Sequence, residues 1–245
     1  MSHDLRTPLN AVLGFSQLLA LDKSFRDKPK QKEQLSYIQR SGELLLTMLN
    51  QILEFATLDI GEISYDYEAV ALDKLVEDCC SMVAKDAAAS SITLHVTADL
   101  AQLPKIWTDP TRARQILGNF LSNAVKYNKA GGDVRISAHE TAGHLRIEVD
   151  DTGPGIAAEK LAAVWEPFNR VGAENTAVQG TGIGLAFSKA LAEGLSGRIG
   201  VSSKVGKGSC FWFSFPIADE PPQTDTDDAS PDSTDAAIDP LKSLE

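Results

Sequence analysis

Four short segments hold residue types that can do chemistry together. The first is Ser2-His3-Asp4-Leu5-Arg6-Thr7-Pro8-Leu9-Asn10. A neutral imidazole such as that of His3 is a nucleophile near neutral pH, and the neighbouring Asp4 carboxylate can orient the ring or accept its proton. Thr7, four residues on, shares a helical face with His3. Alone, an exposed histidine on a helix is more often a bystander. The second segment is Asn119-Phe120-Leu121-Ser122-Asn123-Ala124-Val125-Lys126-Tyr127, which sets Asn119, Asn123 and Lys126 on one helical stripe. Two carboxamide oxygens suit a hard cation such as Mg2+, and an ammonium suits a phosphate oxygen. A solvated polar face is the bland alternative. The third, Asp151-Thr152-Gly153-Pro154-Gly155-Ile156, places a carboxylate that can accept from an exocyclic amine on a tight turn. The fourth, Gly180-Thr181-Gly182-Ile183-Gly184-Leu185, leads into a helix whose first N–H groups can cradle phosphate. It is not the dinucleotide fingerprint, since Leu185 stands where a third spaced glycine belongs, and Gly206-Lys207-Gly208-Ser209 is not a P-loop. Trp165–Arg170 and the polar stretch 172–179 read as a lid, or equally as a surface loop anchored by Phe168.

Elements must hold these segments. In a first helix over 2–21, Leu5, Pro8, Val12, Phe15 and Leu19 step by three and four. In a second over 31–58, Leu35, Ile38, Gly42, Leu45, Leu49, Ile52 and Ala56 form a heptad seam. Asp22–Lys30, with Pro29, reads as the turn of an antiparallel hairpin. One hairpin cannot cover so apolar a seam, so a dimeric four-helix bundle is expected. Pro8 clashes with the carbonyl of Asp4, which predicts a bend beside His3. Beyond a linker at 59–67, the pattern predicts a helix over 72–89 and a strand over 92–98. Asp109-Pro110 starts a helix over 110–128. Strands at 133–139 and 144–150 form a hairpin around Gly143, a helix covers 184–195, and 198–203 pairs with 209–217. The class is α+β, a mixed sheet with helices on one face.

Composition narrows the function. The 245 residues carry 23 Lys+Arg against 34 Asp+Glu, a net charge of −11, which argues against a nucleic-acid partner. Nine acidic residues and one lysine lie within 219–245, a net −8, so the rest of the chain is near −3. With four prolines and no aromatic residue, that end is expected to be a disordered acidic tail. No apolar run is long enough to span a membrane, and no signal segment opens the chain. Three cysteines, Cys79, Cys80 and Cys210, fit neither a zinc site nor a disulfide framework. A reducing, cytoplasmic location is expected, with any membrane attachment left to upstream sequence.

In this order the segments resemble the transmitter core of bacterial sensor histidine kinases. HDLRTPLN is similar to the H box, NFLSNAVKY to the N box, DTGPGI to the G1 box, EPFNR to the F box and GTGIGLA to the G2 box. The resemblance spans about residues 1–217. It implies a dimerisation and histidine-phosphotransfer hairpin (1–62), a Bergerat-type ATP-binding α/β sandwich (63–218) and a tail (219–245). It implies ATP and Mg2+ as cofactors, homodimerisation through the hairpin, and transfer to an aspartate on a response regulator receiver domain. Nucleic acid and membrane contacts are not expected of this segment.

The resemblance also implies roles. His3 takes the phosphate, Asp4 is its acid–base neighbour, and the Thr7 position supports dephosphorylation of the regulator. Asn123 with Asn119 holds Mg2+, while Lys126 and Tyr127 lie along the nucleotide. Asp151 reads the adenine amino group. Gly153, Gly155, Gly180, Gly182 and Gly184 shape pocket and lid, with Ile156, Phe168, Thr181 and Leu185 beside them, and Arg170 reaches the phosphates. Two readings compete: a scaffold that docks partners without transfer, and an ATPase of chaperone or mismatch-repair type. Intact His3, both asparagines and all the glycines speak against the first. The second uses an acid where Asn119 stands. Only two residues precede His3, so a piece of a longer kinase, or an unusual natural short form, is expected.

Overall fold

The computed structural model describes residues 2–21, 28–59, 64–97, 99–171 and 181–218. The expected acidic tail, most of the first turn and the 172–179 stretch lie outside them. The chain begins with α1 (Ser2–Leu21) and α2 (Pro29–Asp59), packed against each other. Pro29 opens α2 rather than belonging to the turn, as suits a residue with fixed φ and no N–H. α1 continues through Pro8 to Leu21.

The heptad seam divides in two. On α2, Leu35 and Gly42 are buried, while the alternate positions Ile38, Leu45 and Ile52 are 45%, 55% and 43% exposed. On α1, Leu13 and Ser16 turn inward, and Leu13 fills the notch at Gly42, where a Cβ would lie 2.7 Å from its Cδ2. Val12, Phe15 and Leu19, read as seam residues, are exposed. α2 thus turns part of its stripe toward α1 and part outward, while the described stripe residues of α1 face outward.

The rest of the chain forms β1 (Glu68–Val70), α3 (Leu72–Ala89), β2 (Thr93–Val96), β3 (Ile106–Thr108), α4 (Pro110–Lys126), β4 (Asp133–Thr141), β5 (His144–Asp151), α5 (Gly184–Gly194), β6 (Arg198–Lys204) and β7 (Gly208–Pro216). Five strands make one sheet in the order β2-β4-β5-β7-β6, in which only β2 and β4 are parallel. β1 and β3, which the sequence pattern does not announce, pair as a separate antiparallel ribbon. Ala142 and Gly143, at φ +50 and +73, make the two-residue turn between β4 and β5.

Strand alternation puts one face of the sheet in the core. Val134, Ile136, Leu145, Ile147, Val149, Phe211, Phe213 and Phe215 are buried together with Ile116, Phe120 and Leu121 of α4 and Leu191 of α5. Phe120 sits 5.5 Å from Phe211 and 6.0 Å from Phe213, ring centre to ring centre. On the other face the Arg146 guanidinium lies 3.9 Å over the Trp212 ring and its Nε pairs with Glu148 at 2.8 Å. All three cysteines are free. Burial pushes the Cys79 thiol up to about 11 and raises that of Cys80. Burial, then the Asp150 and Glu148 carboxylates, push Cys210 up to about 12.

Asp109 is the fastening point of the domain. Its Oδ1 accepts from the N–H groups of Thr111 (2.8 Å) and Arg112 (3.1 Å), capping α4 as its sequence predicts. Its Oδ2 also accepts from the N–H of Asp66 at 3.2 Å, so the segment leading in from α2 is bound to the start of α4. Tyr65 completes this docking with its hydroxyl against Gly194 at the end of α5.

Candidate functional site

α4 carries the second segment along the face that meets α5. Asn119 Nδ2 donates to the buried Ser188 hydroxyl at 2.9 Å, and Asn123 Nδ2 donates to Asn119 Oδ1 at 3.5 Å. This assignment of the amide nitrogens follows from the bonding network. It leaves Asn123 Oδ1 without a donor among the described residues, an oxygen available to a hard cation. Gly184, the first residue of α5, lies so close that a Cβ there would stand 2.5 Å from Asn119 Oδ1. The N-terminus of α5, with its unpaired N–H groups and positive dipole end, therefore opens beside the asparagine pair. Lys126 is exposed at the last turn of α4, and the half-buried Tyr127 caps it.

The third segment meets α4 at that end. A Cβ on Gly153 would lie 2.7 Å from the Tyr127 carbonyl oxygen, so the turn closes on the helix only with glycine. Asn128 pins the same corner: its Nδ2 donates to Asp133 O at 3.0 Å, and its Oδ1 accepts from Thr152 Oγ1 at 3.3 Å. Asp151 Oδ1 accepts from the N–H groups of Gly153 (2.8 Å) and Ser209 (3.3 Å). Burial raises the Asp151 pKa and Asp150 adds to the rise, while those two bonds oppose it. A half-buried carboxylate with donors fixed on one oxygen suits recognition of a ligand N–H.

The aromatic segment joins the fourth. Phe168 N–H donates to Gly182 O at 3.0 Å, and a Cβ on Gly182 would lie 2.8 Å from the Phe168 carbonyl carbon. Phe168 itself sits at φ +65 with its side chain 66% exposed, a costly conformation for an aromatic residue and one typical of functional loops. Its expected anchoring in the core belongs instead to Trp165, whose ring packs 6.2 Å from Phe211. Arg170 is half-buried on the same segment, Thr181 Oγ1 accepts from Ile183 N–H at 3.2 Å, and Leu185 and Ile156 pack partly into the core.

The N segment thus meets both the G1 and the G2 segments, and the F segment meets G2. His3, Asp4 and Thr7 stand apart on α1; Thr7 is exposed, and the His3 and Asp4 side chains lie outside what is described, as does Gly180. Sequence reasoning passed over Ser188, Ser203 and Ser209. Ser188 was visible only as a small polar residue after the apolar Leu185-Ala186-Phe187.

The family model described as "Histidine kinase-, DNA gyrase B-, and HSP90-like ATPase" matches residues 108–219, and that of the "His Kinase A (phospho-acceptor) domain" matches 1–61. The chain belongs to the sensor histidine kinases. This kinase core is 37% identical over 225 residues to the sensor protein GacS of Pseudomonas syringae pv. syringae, covering 89% of the chain and 24% of GacS. It spans about a quarter of the length of the curated relatives it matches first. The structure of full-length ShkA in complex with AMPPNP superposes with a TM-score of 0.75 at 35% identity, over 88% of this chain and 44% of ShkA. The kinase ThkA, solved with the response regulator protein TrrA, shares the fold at a TM-score of 0.61 and 20% identity, over 88% of this chain and 59% of ThkA. Among the described residues no helix is long and apolar enough to cross a membrane.

Proposed function

We propose that this core phosphorylates its own His3 from ATP and passes the phosphate to an aspartate of a response regulator. The observation that carries the reading is the contact of Asn119, itself bonded by Asn123, with Gly184 and Ser188 of α5, on the same half of α4 whose Tyr127 end meets the Asp151 turn. An oxygen site for a cation, a helix N-terminus for phosphate and a carboxylate for a base amine are then set along one helix. Residues 1–62 act as the phosphoacceptor hairpin and 63–218 as the ATP-binding domain, in a cytoplasmic homodimer. The pairing of ThkA with TrrA in one structure supports a receiver domain as partner.

In this mechanism Asp151 accepts from the adenine amino group, and Lys126 and the α5 N–H groups balance the phosphate charge. Asn123, with Asn119, would hold Mg2+, which would supply positive charge beside the phosphates. The His3 imidazole nitrogen attacks the γ-phosphorus, the bond from phosphorus to the bridging oxygen breaks, ADP leaves, and Asp4 accepts the imidazole proton. The phosphoryl group then moves from nitrogen to a receiver carboxylate oxygen. Thr7 orients water for the reverse traffic, hydrolysis of the phosphorylated regulator. Incubation with Mg2+ and γ-labelled ATP tests the whole reading. The expected label is acid-labile and base-stable and vanishes in His3→Gln, and Thr7→Ala slows regulator dephosphorylation more than autophosphorylation. Label that survives in His3→Gln rejects the acceptor; nucleotide binding without label leaves only a scaffold.

A further inference from the structure

Asp151, Ser209 and Ser203 form one cross-strand row. Asp151 on β5 is the register partner of Ser209 on β7, and Ser209 that of Ser203 on β6. The Ser203 hydroxyl lies at the centre of a small network. It accepts from the N–H of Ile156 at 2.8 Å, donates to Gly208 O at 2.9 Å, and shares a hydrogen bond with Ser209 Oγ at 2.9 Å. One proton and two lone pairs are all a hydroxyl offers. With its own proton on Gly208 O, Ser203 takes the Ser209 proton, and every bonding position is filled.

This hydroxyl fastens two backbones that are already tight. Gly206 N–H donates to Pro154 O at 2.7 Å. Gly155, at φ +72, and Gly208, at φ +115, have no room for a Cβ against Lys204 O and Asp151 O respectively. Asp151, Ser203, Gly208 and Ser209 line one hollow of about 330 Å3. Both N–H bonds to Asp151 go to Oδ1, so Oδ2 is the oxygen left for a ligand, and the Ser209 N–H that helps aim it depends on where the β6–β7 hairpin sits.

We propose that Ser203 is a positioning residue for base selection: it locks the β6–β7 hairpin to the 151–156 turn and so holds the Asp151 carboxylate in the orientation that reads the purine 6-amino group. This rests on the reading of Asp151 given under the proposed function. Loss of the hydroxyl strands the Ile156 N–H and frees the hairpin to shift, which changes the aim of Asp151 but not the phosphate-binding end of the site.

The test compares binding of Mg-ATP with that of Mg-purine riboside triphosphate, which lacks the 6-amino group, on the full chain. Wild type should prefer ATP by roughly tenfold, the worth of one hydrogen bond to a charged group. Ser203→Ala should cut that preference by about threefold or more by weakening ATP more than the analogue, and Ser203→Thr, which keeps the hydroxyl, should restore it. Ser203→Cys, close to isosteric but a weak hydrogen-bonding group, gives the same reading should the alanine variant fail to fold. An unchanged preference, or equal weakening of both nucleotides, overturns the positioning role. Asp151→Asn separates the premise: absence of any preference in wild type, unaltered by Asp151→Asn, refutes the amine reading and this inference with it.

Discussion

At the residue scale, Asp151 shows binding and stability pulling apart. Its folded pKa lies above its ordinary value, chiefly through burial. A raised carboxyl pKa contributes stability in full below the unfolded pKa, and that stability is lost as pH rises through the folded one. At neutral pH the nucleotide-free protein therefore carries the cost of a charged, half-buried group. Asp151→Asn, whose oxygen still accepts from Gly153 and Ser209, should raise the melting temperature at pH 7. The gain should vanish near pH 3, where the wild-type carboxyl is neutral in both states. Melting curves at both pH values check this, and a loss of stability at pH 7 would refute the argument. Asn123 answers to a different measurement. Asn123→Ala should weaken nucleotide binding in Mg2+ by at least about tenfold, the smallest cost usual for a disturbed ligand set. Binding measured without Mg2+ should change little, and an equal loss with and without the metal would remove Asn123 from the ligand set.

At the scale of elements, α4 supports most of the site, and its stability depends on Asp109. One buried carboxylate accepts from three N–H groups, two in its own helix and one at Asp66. Asp109→Ala should cost about 1–2 kcal/mol or somewhat more, with Asp109→Asn retaining most of the stability. Urea unfolding of the pair decides between a cap and an incidental contact. The Asp109-Pro110 start was legible because cap and proline act locally, within three residues. The N, G1 and G2 segments were legible because each gathers its asparagines or glycines into one short stretch, although the contacts that need them, such as Gly153 against Tyr127 and Gly184 against Asn119, run between segments. β1 and β3 were not, being three residues each and joined by pairs such as Glu68 with Thr108. Nor were Ser188, Ser203 and Ser209, since a serine's partners come from other strands or helices and leave no periodic trace. The outward turn of Phe15 and Leu45 was also hidden, because a heptad records that a stripe is apolar and not which neighbour covers it.

At the scale of the molecule, the proposed homodimer would be built on the outward face of the hairpin. Phe15, 68% exposed, with Val12, Leu19, Ile38, Leu45 and Ile52, forms an apolar face left open among the described residues. Leu45→Glu should convert a dimer to a monomer by light scattering at micromolar concentration, with helix content kept, because that side chain already faces water in the single chain. A wild-type monomer, or a dimer that survives this substitution, would reject the four-helix bundle. The free thiols have a practical side. With Cys79 and Cys210 pushed up to about 11 and 12, and Cys80 raised as well, few are thiolate at neutral pH. Thiol-selective dyes attack thiolates. A single cysteine introduced at exposed Val205, on the turn of the β6–β7 hairpin, would label ahead of the native three. Fluorescence could then follow that hairpin during nucleotide binding without first stripping the protein of its own cysteines.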